Sequence, residues 1–536
     1  MLNAVLILGL FGLTTLFLNT ISFTHYRWLN LGICSVFVVV LYFAMQKYVP
    51  VFLYVSIHDY NTYLAFIGIT GVSYNWFFGG SAIAFDKTGK NKWPIFSLET
   101  VSGGRITFAD PFDNFLVYGG ANAGKTKSIG KPLLEQYIKH GFAGLIYDYK
   151  DFDYTKTAQS MIEKHGYKNK FYYISFTDME RTYRFNPIKP SVIGKENMLM
   201  QLMDDILGAY LGDGSKKDEW YFGALGILKG TAIRFFKDFP EYCTIPHIVN
   251  YIILSDRQKL CDFLSALPES KAMASGYLEA QGSEKTQASI KSSLTNYISN
   301  LAADKDIAYV LTGDDFDFDL IDPLNPKLIA VSNSYAVESI ISPIIALMIT
   351  VSSRKFSMKN KVPFVYFWDE ATTFKIRDFE KMPSVLREYL CSFVFLTQSG
   401  AKIEKNYGRL DKSSIESNFS NLFLGRTKDT EALKNYGLFF SKKQEIRRTD
   451  TSGSRDSSSV SVSKVDKDKY EASFYTGLKA GEFVGSASHS NFGEFHLKLK
   501  QYQGVDIDEM PVVKKVFDGD IERNYQEILR TVSHIG

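Results

Sequence analysis

Phe115-Leu116-Val117-Tyr118 is followed at once by Gly119, four residues, and then Gly124-Lys125-Thr126. An apolar run of this length predicts a buried strand, and the residues from Lys125 to about His140 predict a helix. A strand, a Gly-x-x-x-x-Gly-Lys-Thr turn and a helix in that order constrain the chain more than any other feature it has. The glycines let the backbone turn its N–H groups inward, and the helix N-terminus adds a partial positive charge, so the turn is a cradle for phosphate oxygens. Its expected contact residues are Gly119, Gly120, Ala121, Asn122, Ala123, Gly124, Lys125, Thr126 and Lys127. Lys125 is expected to reach the β- and γ-phosphates, and the Thr126 hydroxyl to ligate Mg²⁺.

A loop that cleaves a nucleotide needs a second group of residues. Phe364-Val365-Tyr366-Phe367-Trp368 ends in Asp369-Glu370. Buried parallel strands carry their chemistry at the C-terminal edge, and two adjacent carboxylates there suit it. Asp369 is expected to hold Mg²⁺, and Glu370 to orient and deprotonate the attacking water. ATP and Mg²⁺ are the expected ligands.

The rest of the chain frames these two pieces. Phe115–Tyr118, Ala143–Tyr147, Phe171–Phe176, Leu328–Ser332, Phe364–Trp368 and Phe393–Thr397 read as short apolar strands separated by helical runs. That alternation predicts an α/β fold with a doubly wound parallel sheet. From about Lys195 to Asp306 the period changes. Met198–Leu211, Trp220–Phe236 and Ala288–Ala302 predict helices without strands, an all-α domain inserted into the sheet domain. The expected boundaries are 1–85 for a membrane segment, 100–192 with 307–510 for the nucleotide-binding domain, 193–306 for the insertion and 511–536 for a C-terminal tail. Thr449 to Ser463 is rich in Ser, Asp and Arg and reads as a mobile connector.

Met1–Thr24 and Trp28–Gln46 contain no Asp, Glu, Lys or Arg. About 20 such residues cross the hydrocarbon layer as a helix. Two transmembrane helices are expected, and the uncharged stretch Tyr60–Phe85 is a candidate third. The first run lacks the basic flank of a signal peptide. A net charge of +3 supplies no basic tail, so any nucleic-acid contact must come from local patches. Cys34, Cys243, Cys261 and Cys391 show no metal-ligand spacing.

The order of these parts resembles the type IV secretion coupling proteins, the TraG/TraD-like membrane ATPases of conjugation. The resemblance covers most of the chain after about Gly79. It rests on Gly80-Ser81-Ala82, the phosphate loop, Lys131-Pro132-Leu133-Leu134, Asp148-Tyr149-Lys150, Phe185-Asn186-Pro187-Ile188, the Asp369-Glu370 pair, Gln398 with Tyr407-Gly408, and Asn418 to Gly437 with Thr430-Glu431-Ala432. The chain departs from the family at Ala121-Asn122-Ala123, at Asp151 in place of a glycine, and at the bulky Trp368.

The resemblance implies a RecA-like P-loop ATPase anchored in the bacterial inner membrane, with its ATPase domain cytoplasmic and its subunits in a homo-hexamer. It implies relaxosome and secretion-channel partners, and as cargo DNA, single-stranded and attached to a relaxase. It also implies two further catalytic residues. Gln398 would sense the γ-phosphate or position water. Arg387, eleven residues earlier, would act on the neighbouring subunit's nucleotide, with Arg354 and Arg426 as second choices. Two other readings stay open at this stage: a nucleotide-switched membrane receptor for secreted proteins, and a DNA translocase of the FtsK/HerA type.

Overall fold

The computed structural model describes residues 93–211, 217–452 and 458–535. The membrane segment expected at 1–85, and Gly80-Ser81-Ala82 with it, lie outside the described residues. Among those described, no helix is long and apolar enough to cross a membrane.

A nine-stranded sheet organises the chain, in the order β13-β12-β9-β3-β8-β7-β4-β6-β5. The strands are β3 (Phe115–Tyr118), β4 (Ala143–Asp148), β5 (Lys170–Ile174), β6 (Lys327–Ser332), β7 (Phe364–Asp369), β8 (Cys391–Thr397), β9 (Asn421–Gly425), β12 (Glu482–Ala487) and β13 (Glu494–Lys498). The seven from β9 to β5 run parallel, while β12 and β13 add an antiparallel edge. A short antiparallel pair, β1 (Phe96–Glu99) with β2 (Arg105–Phe108), forms a separate two-stranded sheet whose Phe96, Leu98, Ile106 and Phe108 pack into one of the cores of the main sheet.

Helices cover both faces, which is why the parallel strands read as unbroken apolar runs. Successive side chains still alternate between two cores. Leu116, Tyr118, Leu145, Tyr147, Tyr366 and Trp368 enter one; Phe115, Val117, Ile146, Val365 and Phe367 enter the other. The helices Lys131–Lys139 and Asp153–His165 belong to the second face.

Among the described residues between β5 and β6 every element is helical, from Pro190–Ile193 to Lys305–Leu311. Local capping starts several of these helices: Asp218 accepts from the Tyr221 N–H at 2.9 Å, Asp256 from Lys259 at 2.8 Å and Asp304 from Ile307 at 2.9 Å. The C-terminal residues are more ordered than a tail. Asp518–His534 form a helix whose Val532 joins the core of the insertion. Lys259 donates to the Ser533 carbonyl at 2.9 Å, and Arg184 to Asn524 at 2.9 Å.

One expectation is corrected. Thr449–Ser452 and Ser458–Ser463 are not a loose connector: they fall in β10 (Lys442–Ser452) and β11 (Ser458–Asp468), an antiparallel pair in register from Lys442↔Asp468 to Ser452↔Ser458, and residues 453–457 lie outside those described. Ser459-Val460-Ser461-Val462-Ser463 has the period of two that a strand requires, and a reading by composition passes over it.

Candidate functional site

The site lies along the C-terminal ends of five neighbouring parallel strands. The phosphate loop follows β3, Gln398 follows β8, Asp369 and Glu370 close β7, Asp148 closes β4, and Arg426 follows β9. Residues that are far apart in sequence meet here because the sheet aligns their strands. Tyr118 pairs with Thr397 and Leu424, and Asp369 with Leu396.

The loop is shaped by two left-handed residues, Asn122 at φ 59° and Gly124 at φ 94°. Asn tolerates this region, and Gly124 needs it for a second reason. A Cβ at Gly124 would lie 2.6 Å from the Gly481 backbone nitrogen. The Gly481 N–H in turn donates to the Ala123 carbonyl at 2.9 Å, and the Gly120 N–H donates to the Arg426 carbonyl at 2.8 Å. The loop is thus clamped between the ends of β9 and β12. Helix begins at Lys125 with a π-type turn over Lys125–Gly130, then continues as α-helix over Lys131–Lys139.

Lys125 folds back over its own loop, donating to the Gly119 and Gly120 carbonyls. Burial lowers its pKa, and the charges of Glu370 and Asp369 pull it back up. Asp369 is almost fully buried, and its Oδ2 accepts no hydrogen bond from the protein. The nearest cation, Lys150, is 3.9 Å from that oxygen. Burial pushes the Asp369 carboxyl up to about 7, partly offset by Lys150. An orphaned buried carboxylate oxygen beside a phosphate cradle fits a divalent cation, so the residues present suit Mg²⁺ with a nucleotide.

Glu370 has positive φ, 51°, a conformation uncommon for a residue with a side chain. Its Oε1 accepts from Lys402 at 2.9 Å, Thr372 at 3.3 Å and Thr397 at 3.4 Å. Asp148 is buried and fully engaged by the turn after β4: it accepts from the Thr155 N–H at 2.9 Å, the Thr155 hydroxyl at 2.8 Å and the Lys150 N–H at 3.2 Å. It organises that turn, which delivers Lys150 to Asp369.

The sheet brings Gly119 to Thr126, Asp369, Glu370 and Gln398 to one edge, with Gln398 exposed. Arg387 lies elsewhere. It precedes β8, at the N-terminal edge, paired to Asp110 at 3.2 Å and Asp113 at 2.5 Å. It does not reach this chain's own phosphate loop. Arg354 is also distant, tied to Asp205 of the insertion at 3.1 Å. Sequence reasoning missed Lys402: nothing in the spacing from Glu370 announces it, because β8 and its flanking turns set the approach. Lys150, the last residue of Asp148-Tyr149-Lys150, brings its charge to Asp369, a pairing that the motif's spacing does not announce.

Comparisons with known proteins agree with this architecture. Residues 363–473, from the start of β7 to past β11, match the family model described as the TraM recognition site of TraD and TraG. Among curated proteins, no sequence is significantly similar to this chain. Among solved structures, the bacterial conjugative coupling protein TrwBΔN70 in its unbound monoclinic form superposes with a TM-score of 0.61 at 15% identity, over 77% of this chain and 91% of that one. The plasmid coupling protein TrwB in complex with ADP and Mg²⁺ gives 0.57 at 15% identity, over 75% and 88%. TrwB with a non-hydrolysable ATP analogue gives 0.58 at 15% identity, over 76% and 89%. This chain therefore has the fold of a conjugative coupling protein and, over residues 363–473, the sequence signature of the TraD and TraG C-terminal region.

Proposed function

We propose that this chain is an Mg²⁺-dependent ATPase that couples DNA bearing a relaxase to a type IV secretion channel, working as a homo-hexamer at the bacterial inner membrane. The observation that carries the reading is the placement of Asp369 and Glu370 beside the phosphate loop, with one Asp369 oxygen buried and unpartnered. Thr126 and Asp369 would hold the cation, which screens the phosphate charge. Lys125 would leave the loop carbonyls for the β- and γ-phosphates. Glu370 would orient a water and take its proton, and Gln398, on the neighbouring strand end, would contact the γ-phosphate or that water. The membrane anchor is assigned to the uncharged runs within 1–85.

Arg387 acts in this reading on the neighbouring subunit's nucleotide, which requires its bond to Asp113 to open. One observation favours the second reading, a nucleotide-switched receptor: Glu370 is held by Lys402 rather than left open to water.

The cargo half is tested by hydrolysis of the full-length protein in detergent, with single- and double-stranded DNA at low and high salt. A chain of net charge +3 must grip a polyanion through local Lys and Arg, so stimulation by DNA should fall steeply with salt. No stimulation by either form, with tight binding of a protein substrate, would favour the receptor.

A further inference from the structure

The segment after Gln398 is the least explained part of the site. Residues Gly400–Ser417 are helical except at Gly408, whose φ of 82° and ψ of 168° break the helix. No atom lies within 4 Å of where a Gly408 Cβ would sit, so glycine is needed here for its backbone and not for space. In a continuous helix, residues 400 and 416 would stand about 24 Å apart. Instead a Cβ on Gly400 would lie 3.2 Å from the Glu416 Oε1, and Lys412 bonds Glu404 at 2.9 Å. The two halves therefore fold back on each other about Gly408.

Each arm of this helical hairpin touches one half of the nucleotide site. The first arm holds the loop after β7: Lys402 pairs with Glu370 at 2.9 Å, Asn406 donates to the Thr372 carbonyl at 2.8 Å, and the Ile376 N–H donates to the Tyr407 hydroxyl at 3.1 Å. The second arm holds the strand before the phosphate loop, where the Tyr118 hydroxyl donates to Glu416 at 2.7 Å. Lys402 is about half exposed, and Glu370 is buried. The ammonium group occupies the carboxylate oxygen that would otherwise accept from a water.

We propose that Lys402 is a latch on Glu370, carried by the hinged arm Gly400–Tyr407, and that it keeps the resting subunit slow until the arm moves. The proposal rests on the ATPase reading above. Lys402 is a positioning residue: it touches Glu370, not the reacting atoms. Gln398 stands two residues before the arm, so contact of its side chain with the γ-phosphate is the event proposed to move the arm.

The test uses the full-length protein in detergent, as parent, Lys402→Met, Lys402→Arg, Glu370→Gln and the double variant Glu370→Gln/Lys402→Met. Two readouts are taken: thermal unfolding, with and without Mg²⁺ and a non-hydrolysable ATP analogue, and hydrolysis with and without DNA. Without nucleotide, Lys402→Met should shift the unfolding midpoint in the parent background and not in the Glu370→Gln background. With the analogue bound, the two shifts should be equal. DNA-independent hydrolysis should rise at least threefold in Lys402→Met with KM for ATP unchanged, and stay near the parent in Lys402→Arg. Equal midpoint shifts in both backgrounds without nucleotide, or Lys402→Met hydrolysing no faster than the parent, would overturn the latch. Equal hydrolysis by parent and Glu370→Gln would instead overturn the ATPase reading beneath it.

Discussion

The two edges of the central sheet carry similar residue types and use them in opposite ways. At the N-terminal edge most of the polar groups are joined to one another. Asn114 donates to the Pro383 and Asn418 carbonyls at 3.1 and 3.0 Å and accepts from the Phe393 N–H at 2.9 Å. Asp113, buried, takes Arg387 and His489, each at 2.5 Å. At the C-terminal edge the arrangement is open. Asp369 keeps an unpartnered oxygen, Lys125 bonds only loop carbonyls, and Glu370 holds a left-handed backbone. Closed networks stabilise a fold, whereas unmet groups cost stability and mark where a ligand completes the structure. The same contrast separates Lys125 from Arg387: one bonds carbonyls of its own loop, the other already has its anion.

The contrast is broken most easily at the phosphate loop. Lys125→Ala should abolish nucleotide binding and lower hydrolysis by about 10²-fold or more while leaving the unfolding midpoint close to the parent's. A large loss of stability would place Lys125 among the structural residues. The next effect concerns Arg387, whose substitution should lower hydrolysis by roughly 10²-fold or more if it serves a neighbour. Mixing Arg387→Ala with Glu370→Gln subunits should then restore part of the activity, each supplying one intact half-site. No recovery at any ratio, with assembly confirmed by light scattering, would leave Arg387 a residue of the closed edge alone.

Asp113→Ala should destabilise the protein by about 2 kcal/mol, since the charge-assisted contacts of the partly exposed Arg387 and His489 with this carboxylate are lost. Nucleotide affinity per folded molecule should stay unchanged, measured by titration beside denaturant unfolding. The smallest effect has the opposite sign. The Asp369 carboxyl is raised to about 7 when folded, so the unfolded chain gives up its proton first. Nucleotide-free stability should therefore fall as pH rises from about 4 to about 7. Asp369→Asn removes this loss and should be more stable than the parent at pH 8, by on the order of 2 kcal/mol, with no difference near pH 4. It should also lose Mg²⁺-dependent nucleotide binding. A variant less stable than the parent at pH 8 would mean that Asp369 is satisfied within the fold.

The sequence was most informative where one physical constraint acts locally. β3, β4, β7 and β8 are apolar runs because both faces are covered, and the phosphate loop is readable because its turn admits few residues. Asp369 and Glu370 stood out as acids ending such a run. What stayed hidden depends on the folded chain crossing itself. Gly481 against Gly124 and Lys402 on Glu370 are set by strand order, which spacing does not encode. β12 and β13 were missed because Glu482–Ala487 and Glu494–Lys498 are short and mixed in polarity at a sheet edge. Arg387 is held by Asp113, more than 270 residues earlier, a pairing that its spacing to Gln398 does not announce.

The central claim is that the open edge hydrolyses ATP through Glu370. It is tested most directly by turnover and nucleotide binding of full-length parent and Glu370→Gln, measured side by side in detergent with Mg²⁺. The account predicts that the variant binds the nucleotide as the parent does and turns it over about 10²-fold more slowly or not at all. Equal turnover by the two proteins would contradict it.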